Sequence, residues 1–380
     1  MDRTVMRVLA VAANPASTIT RLRVVEPLEA WLAGQGGELR MRPLHDVPLS
    51  ELDGCDALVV QRGMSRRHVD LMRTAVAMGR AVIYEIDDLL TEPAPHLQQA
   101  QALRTGARWV RASLDAADVV TVSTERLAGL LGLAPERRIV VPNAAFDGPS
   151  MPLPEQRPGG PVTLLVASTD RVAGAEAWRA LQALATSAGV AVSVLAVGPV
   201  ADDLQQAGVP CRRLPLMPRE DFVRWATSQP NPLALIPLDD SRFSAGKSAV
   251  KWFDYAVAGV PTLASDVPPY SDAIKHRRTG WLVGPGFANW QSALATAVGE
   301  AAVRARVAAA AREQVLAYHH AGFTREAWGR ALQSASDRAG SRGSARGESR
   351  LTWLHHSVWG LGLSLRRWNR ERQAQRRSSK

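Results

Sequence analysis

Phe243-Ser244-Ala245-Gly246-Lys247-Ser248-Ala249-Val250-Lys251-Trp252-Phe253-Asp254-Tyr255-Ala256-Val257-Ala258-Gly259-Val260-Pro261 is the stretch that decides the fold of this chain. Small residues open it, a short helix follows, Gly259 stops the helix, and a buried strand continues through Thr262-Leu263-Ala264-Ser265. Lys247, Lys251 and Asp254 stand at i, i+4 and i+7 and share one helix face. Val250, Phe253 and Val257 form a separate apolar stripe that can pack on a sheet. Two lysines and a carboxylate at a helix start, with the free N–H groups and dipole of a first turn, suit a phosphate-bearing ligand. A solvated face closed by a surface salt bridge fits the same residues.

The same alternation runs through the whole body. In the first half, strands are expected at Arg7–Ala13, Glu38–Arg42, Ala57–Gln61, Ala81–Glu85, Val119–Val122 and Arg138–Val141. Helices are expected between them at 23–34, 67–79, 96–116 and 124–131. Several of these strands are continuous apolar runs, the pattern of strands covered on both faces. Pro149, Pro152, Pro154, Pro158 and Gly159-Gly160 then mark a linker. Beyond it, strands are expected at Val162–Ala167, 191–197, 211–214, 233–236, 261–265 and 280–283. Helices are expected at 176–188, 201–207, 219–228, 248–258, 289–298 and 300–317. The expected organisation is a first Rossmann-like domain over 1–148, a linker over 149–160, a second over 161–335, and a basic tail over 336–380. Ligands in such sheets lie beyond the carboxyl ends of the strands.

With 380 residues, 46% apolar and 22% charged, the chain can build two cores. Cys55 and Cys211 are far apart and form no disulfide or zinc pattern, which fits a reducing cytoplasm. No signal peptide and no run of roughly 18 apolar residues is present. The formal charge of +10 is concentrated at the end: residues 340–380 hold nine Arg and one Lys against Glu348 and Glu371. The rest is near neutral, so a nucleic-acid reading has no support from the body. Residues 339–347 read as flexible, and beyond them Leu351, Leu354, Val358, Leu361, Leu365 and Trp368 recur at helical spacing. That basic, Trp-bearing stripe suits an anionic membrane surface first, with docking on a partner or on the protein's own body next and nucleic acid last. The Gly-x-Ser-x-Gly elbow of hydrolases and the Gly-x-Gly-x-x-Gly fingerprint of dehydrogenases are both missing. Asp87-Asp88 and Asp239-Asp240 form no spacing that calls for a metal, and Asp87-Asp88 reads as a cap at the cleft rim. His96, between prolines, reads as a surface residue.

Ile236-Pro237-Leu238-Asp239-Asp240, Phe243, Lys247-Ser248, Lys251, Phe253-Asp254-Tyr255, Gly259-Val260-Pro261 and Ser265-Asp266 together resemble the donor-site signature of GT-B glycosyltransferases. Within that fold they most resemble the retaining group-1, glycogen-synthase-like family. Pro269-Tyr270, Ile274 and Thr279-Gly280-Trp281-Leu282-Val283 continue the likeness. Weaker pieces are Arg21-Leu22-Arg23, Tyr84 to Leu90, Ala117 to Thr124 and Val141-Pro142-Asn143. The resemblance spans roughly residues 6–335. It implies two Rossmann-like domains facing a cleft, a nucleotide-sugar donor and no obligatory metal or other cofactor.

Residue by residue, the resemblance implies that Asp254 stands where a Glu holds the nucleotide ribose, and that Gly246 stands where the family has its other donor-site Glu. Lys247, Ser248 and the backbone N–H groups of residues 244–248 would then take the sugar or phosphate. Arg171 would add a cation and Met217-Pro218 would flank the nucleobase. Stabilising the leaving pyrophosphate needs such preorganised cations. Asp88 and Lys247 are the candidate catalytic residues, and Arg21, Arg23 and Asp87 the candidate acceptor contacts. The activity implied is sugar transfer to a glycan, lipid-linked or protein-bound acceptor in cell-surface polysaccharide or glycoconjugate synthesis, in the cytoplasm or at its membrane. The loss of the first Glu motivates an alternative, a degenerate GT-B domain that binds glycans or scaffolds a complex. An isomerase of nucleotide sugars ranks third.

Overall fold

A computed structural model describes residues 5–45, 47–187 and 191–345. The stripe at 351–368 and the rest of the basic end lie outside them. Twelve named strands form two parallel six-stranded sheets. The first contains β1 (Arg7–Ala12), β2 (Glu38–Pro43), β3 (Ala57–Gln61), β4 (Ala81–Ile86), β5 (Val119–Val122) and β6 (Arg138–Val140), in the order β2-β1-β3-β4-β5-β6. The second contains β7 (Val162–Ala167), β8 (Val192–Val197), β9 (Arg212–Leu214), β10 (Pro232–Ile236), β11 (Thr262–Ser265) and β12 (Trp281–Val283), in the order β12-β11-β10-β7-β8-β9. Every expected strand is present within two residues at either end. The strand order reverses at β1/β3 in one sheet and at β7/β10 in the other, which opens a crevice at each carboxyl edge.

Burial explains the apolar strand runs. β3 and β4 are buried at every position, with helices on both faces. On one face of the first sheet, Leu58, Val60, Val82 and Tyr84 pack with Met72 and Val110. On the other face, Val8, Ala10, Val59 and Ile83 pack with Leu28, Leu32 and Trp328.

Trp328 corrects the expected boundary at 335. The helix Ala321–Ala345 does not stay with the second unit: Ala327, Trp328, Ala331, Leu332, Ala335 and Ala339 complete the core of the first. The Trp328 indole N–H donates to the Arg23 carbonyl at 2.7 Å. The stretch 339–345, expected to be flexible, continues this helix. The chain therefore crosses between the units twice, and the crossings are joined by a hydrogen bond from Ala145 N–H to His319 O at 2.7 Å.

Candidate functional site

β4 delivers the first unit's share of the cleft in four residues, Glu85-Ile86-Asp87-Asp88. Glu85 is the innermost. Its carboxylate meets Arg23 Nε at 2.7 Å, and both side chains are fully buried. Arg23 lies in a wide π turn, Arg21–Val25, within the first helical stretch. Burial pushes the Glu85 carboxyl up, against the pull of Arg23. Arg62, just beyond β3, has a left-handed backbone (φ 50°) and bridges Asp87 at 2.5 Å and Asp88 at 2.9 Å. A non-glycine residue held in that region is strained and marks a constrained site. Burial alone would raise Asp88, but Lys247 and Arg62 outweigh it and hold it below the ordinary carboxylate value.

The second unit brings cations to the same place. Lys247 Nζ lies 3.2 Å from Asp88 and 4.4 Å from the centre of the Phe243 ring. Phe243 itself is inserted in the core of the first unit. The helix begins at Val250, so Lys247 sits in the turn before it, while Lys251 and Asp254 lie on it. Lys251 Nζ donates to Ser168 Oγ at 3.1 Å, immediately past β7 at the switch point. Among the described residues, no carboxylate forms an ion pair with it. Burial, with Lys247 alongside, brings the Lys251 ammonium down to about 8. Lys247 is thus compensated by Asp88, while the Lys251 ammonium lies half-buried beside it with a hydroxyl for a partner.

Other expectations are corrected or refined. Arg23 is solvent-excluded, with its guanidinium committed to Glu85, Val141 O and Asn143, so it braces the unit and reaches no acceptor. Arg21 is exposed and paired with Glu26 at 3.1 Å, apart from the Arg62 cluster. Arg171, in the loop after β7, is bound by Asp203 and by Gln206 (2.8 Å) of the helix Val200–Gln206 rather than set beside the lysines. Asp254 is taken by Arg219 Nε at 2.7 Å, and burial raises its carboxyl despite that partner. The amides of Ser244, Ala245, Gly246 and Lys247 are used within the short turn Ser241–Lys247, so the expected backbone cradle reduces to Ser248. The apolar stripe is wider than expected, since Trp252, Tyr255 and Ala256 are buried as well. Asp87-Asp88 serves Arg62 rather than capping, and His96 faces Asp239 across the cleft at 3.5 Å.

A Cβ at Gly246 would stand 3.3 Å from Leu127 and 3.5 Å from Leu89, both in the first unit. The units close on this glycine, which gives a physical reason for the missing side chain. Met217 lies in the turn before the helix Arg219–Thr227. Next to that turn is a cavity of about 530 Å³, lined by Gln98 from the first unit and by Gly198, Pro199, Leu214 and Pro215 from the second. Among the described residues, no group of three or more His, Cys, Asp or Glu could hold a metal ion, and no helix is long and apolar enough to cross a membrane.

Arg62 and Arg219 escaped the sequence reading. Arg62 carried one signal, an arginine directly after a buried strand and before Gly63. Nothing local tied Arg219 to Asp254, 35 residues on.

No family model and no curated protein matches the chain by sequence. Solved structures do match by shape. Sucrose-phosphate synthase from Thermosynechococcus elongatus aligns over 86% of this chain and 98% of its own, with TM-score 0.64 and 15% identity. Anabaena HepE, in a crystal structure with UDP-glucose, aligns over 87% and 100%, with TM-score 0.61 and 14% identity. The chain has the GT-B fold. A Listeria monocytogenes protein titled as a UDP-N-acetylglucosamine 2-epimerase also aligns, over 88% and 97%, with TM-score 0.54 and 12% identity. Within that fold, Lys247 and Lys251 come from the second unit and Asp88 from the first, with Lys247 and Asp88 in contact at 3.2 Å.

Proposed function

We propose that this chain is a glycosyltransferase that moves a sugar from a nucleotide-diphosphate donor to a glycan, lipid-linked or protein-bound acceptor. One observation carries the reading: the half-buried Lys251 ammonium stands at the second sheet's switch point with a hydroxyl for a partner. It is close enough to feel the charge of Lys247, which is itself paired with Asp88. An anion there recovers the electrostatic energy that burial costs Lys251. Lys247 and Lys251 would take the diphosphate and stabilise it as it leaves, and Ser248 would add a hydroxyl. Met217 and the adjoining cavity would receive the base. Asp88, kept ionised by Lys247 and Arg62, would face the acceptor hydroxyl, with Asp87 behind it. HepE, of the same fold, has been crystallised with UDP-glucose, which supports a nucleotide-sugar donor. Retention, a role in cell-surface polysaccharide or glycoconjugate synthesis and cytoplasmic operation follow the group-1 resemblance. No obligatory metal enters this scheme, because the lysines supply the charge. The basic stripe at 351–368 would bring the enzyme to an anionic membrane surface or a partner enzyme.

A second reading is a binding or scaffold protein. The Arg219–Asp254 pair favours it, since the carboxylate placed for a ribose is already neutralised. Calorimetry with UDP-, GDP- and dTDP-sugars separates the two: the transferase reading requires binding of one of them, and silence from all three at millimolar concentration removes it. Product analysis of the bound donor, alone and with acceptors, distinguishes transfer from the epimerisation named for the Listeria neighbour.

A further inference from the structure

The segment Val141-Pro142-Asn143 carries the chain out of the first sheet, and it is pinned from several sides. Pro142 O accepts from Thr324 Oγ1 at 2.8 Å, and Ala144 O accepts from Arg219 Nη2 at 2.9 Å. Asn143 is buried here, and its amide is used at both ends. Oδ1 accepts from Arg23 Nη1 at 2.9 Å, and Nδ2 donates to Ser248 Oγ at 2.5 Å. Chemistry fixes this orientation, because a guanidinium has no acceptor and must face the amide oxygen. The amide nitrogen is therefore forced toward Ser248. Having accepted from Asn143, the Ser248 hydroxyl keeps its proton, which it gives to no other described residue.

The line runs from Glu85 through Arg23 and Asn143 to Ser248. Three residues after Glu85, Asp88 holds Lys247 directly. One strand end thus fixes two consecutive residues of the other unit by separate routes. We propose that Asn143 is a positioning residue: it registers the Lys247–Ser248 turn against the first unit and sets the Ser248 hydroxyl as a donor aimed at an anion. The second half of this statement rests on the donor-phosphate reading, while the first half stands without it.

The full chain tests both halves, as Asn143→Ala, Asn143→Asp, Ser248→Ala and the Asn143→Asp/Ser248→Ala double variant. Amide hydrogen exchange over residues 244–253 reads the registration, and calorimetry with UDP, GDP, dTDP and ADP reads the anion contact. Asn143→Ala is expected to speed exchange in that segment about tenfold, the scale of one hydrogen bond, and to weaken the diphosphate bound by wild type about tenfold. Asn143→Asp is expected to keep the protection, because Ser248 can donate to the new carboxylate. It should still lose about tenfold in affinity, since the hydroxyl proton is then spent. That loss should disappear in the Ser248→Ala background. Wild-type exchange in Asn143→Ala overturns the registration. Wild-type affinity in Asn143→Asp, or a loss undiminished in the double variant, overturns the orienting role. If wild type binds none of the four diphosphates, the donor-site reading falls, and the exchange measurement still decides the registration.

Discussion

The two sheets share an architecture and differ at their carboxyl edges. The first unit brings three carboxylates to the end of β4, sets Arg23 and Arg62 against them, and takes its third cation, Lys247, from the other unit. The second brings two lysines to the corresponding edge and gives Lys251 only a hydroxyl. The carboxylates of the first edge all have cationic partners, whereas Lys251 on the second has a hydroxyl partner. Topology sets where a site can lie, and under the proposed function the residual charge on Lys251 makes the second edge the receptor and the first its frame.

Breaking the frame should cost most. Arg23→Met leaves the Glu85 carboxylate buried without its cation and is expected to destabilise the protein by about 3–5 kcal/mol in chemical denaturation. The paired Arg23→Met/Glu85→Met variant should recover most of that loss, because an apolar pair of similar volume needs no solvation. Trp328→Ala should cost about 3–5 kcal/mol through its cavity and the lost bond to Arg23 O, with the loss read as faster exchange in β1 and β4. On the receptor side, Lys251→Ala should leave the fold intact and weaken nucleoside-diphosphate binding by about 1.5–3 kcal/mol in calorimetry.

The contrast also has a pH signature. The folded value of Lys251, about 8, lies below its ordinary 10.5. Burying the charged form costs stability below pH 8, and that cost is relieved as pH rises from 8 toward 10.5, where the unfolded chain still binds the proton. The lysine's own contribution to stability should therefore rise with pH over that window, by comparison of wild type with Lys251→Met. Anion binding should run the other way, weakening above pH 8 with proton uptake, and Lys251→Arg should flatten the trend. The smallest effect is expected at the rim. Arg126 meets Asp272 across the units at 3.0 Å in solvent, so Arg126→Ala should cost less than about 1 kcal/mol in denaturation.

The strands and the two-unit plan were legible because parallel strands covered on both faces leave long apolar runs, as in Ala57–Gln61 and Val162–Ala167. Lys247, Lys251 and Asp88 were legible as a group only through the resemblance, since they come from distant segments. The partner choices were not. Whether Asp254 meets a ligand or Arg219, and whether Arg23 faces solvent or Glu85, depends on helices placed by tertiary packing. The return of 321–345 to the first unit did leave a trace, in Ala327, Trp328, Ala331, Leu332 and Ala335 at helical steps. That stripe says a helix is buried, and it cannot say against which sheet.

The returning helix also sets an order of events during synthesis. The second unit's strands and the helices through Tyr318 are complete in sequence before Trp328 exists. The first unit, made earlier, must wait for residues 327–339 to cover Val8, Ala10, Val59 and Ile83. Translation at about 5–20 residues per second spends roughly 10–40 s on the intervening stretch after Pro161. For that interval the older half of the nascent chain presents an open apolar face, so the half that appears first in sequence is the last to be sealed.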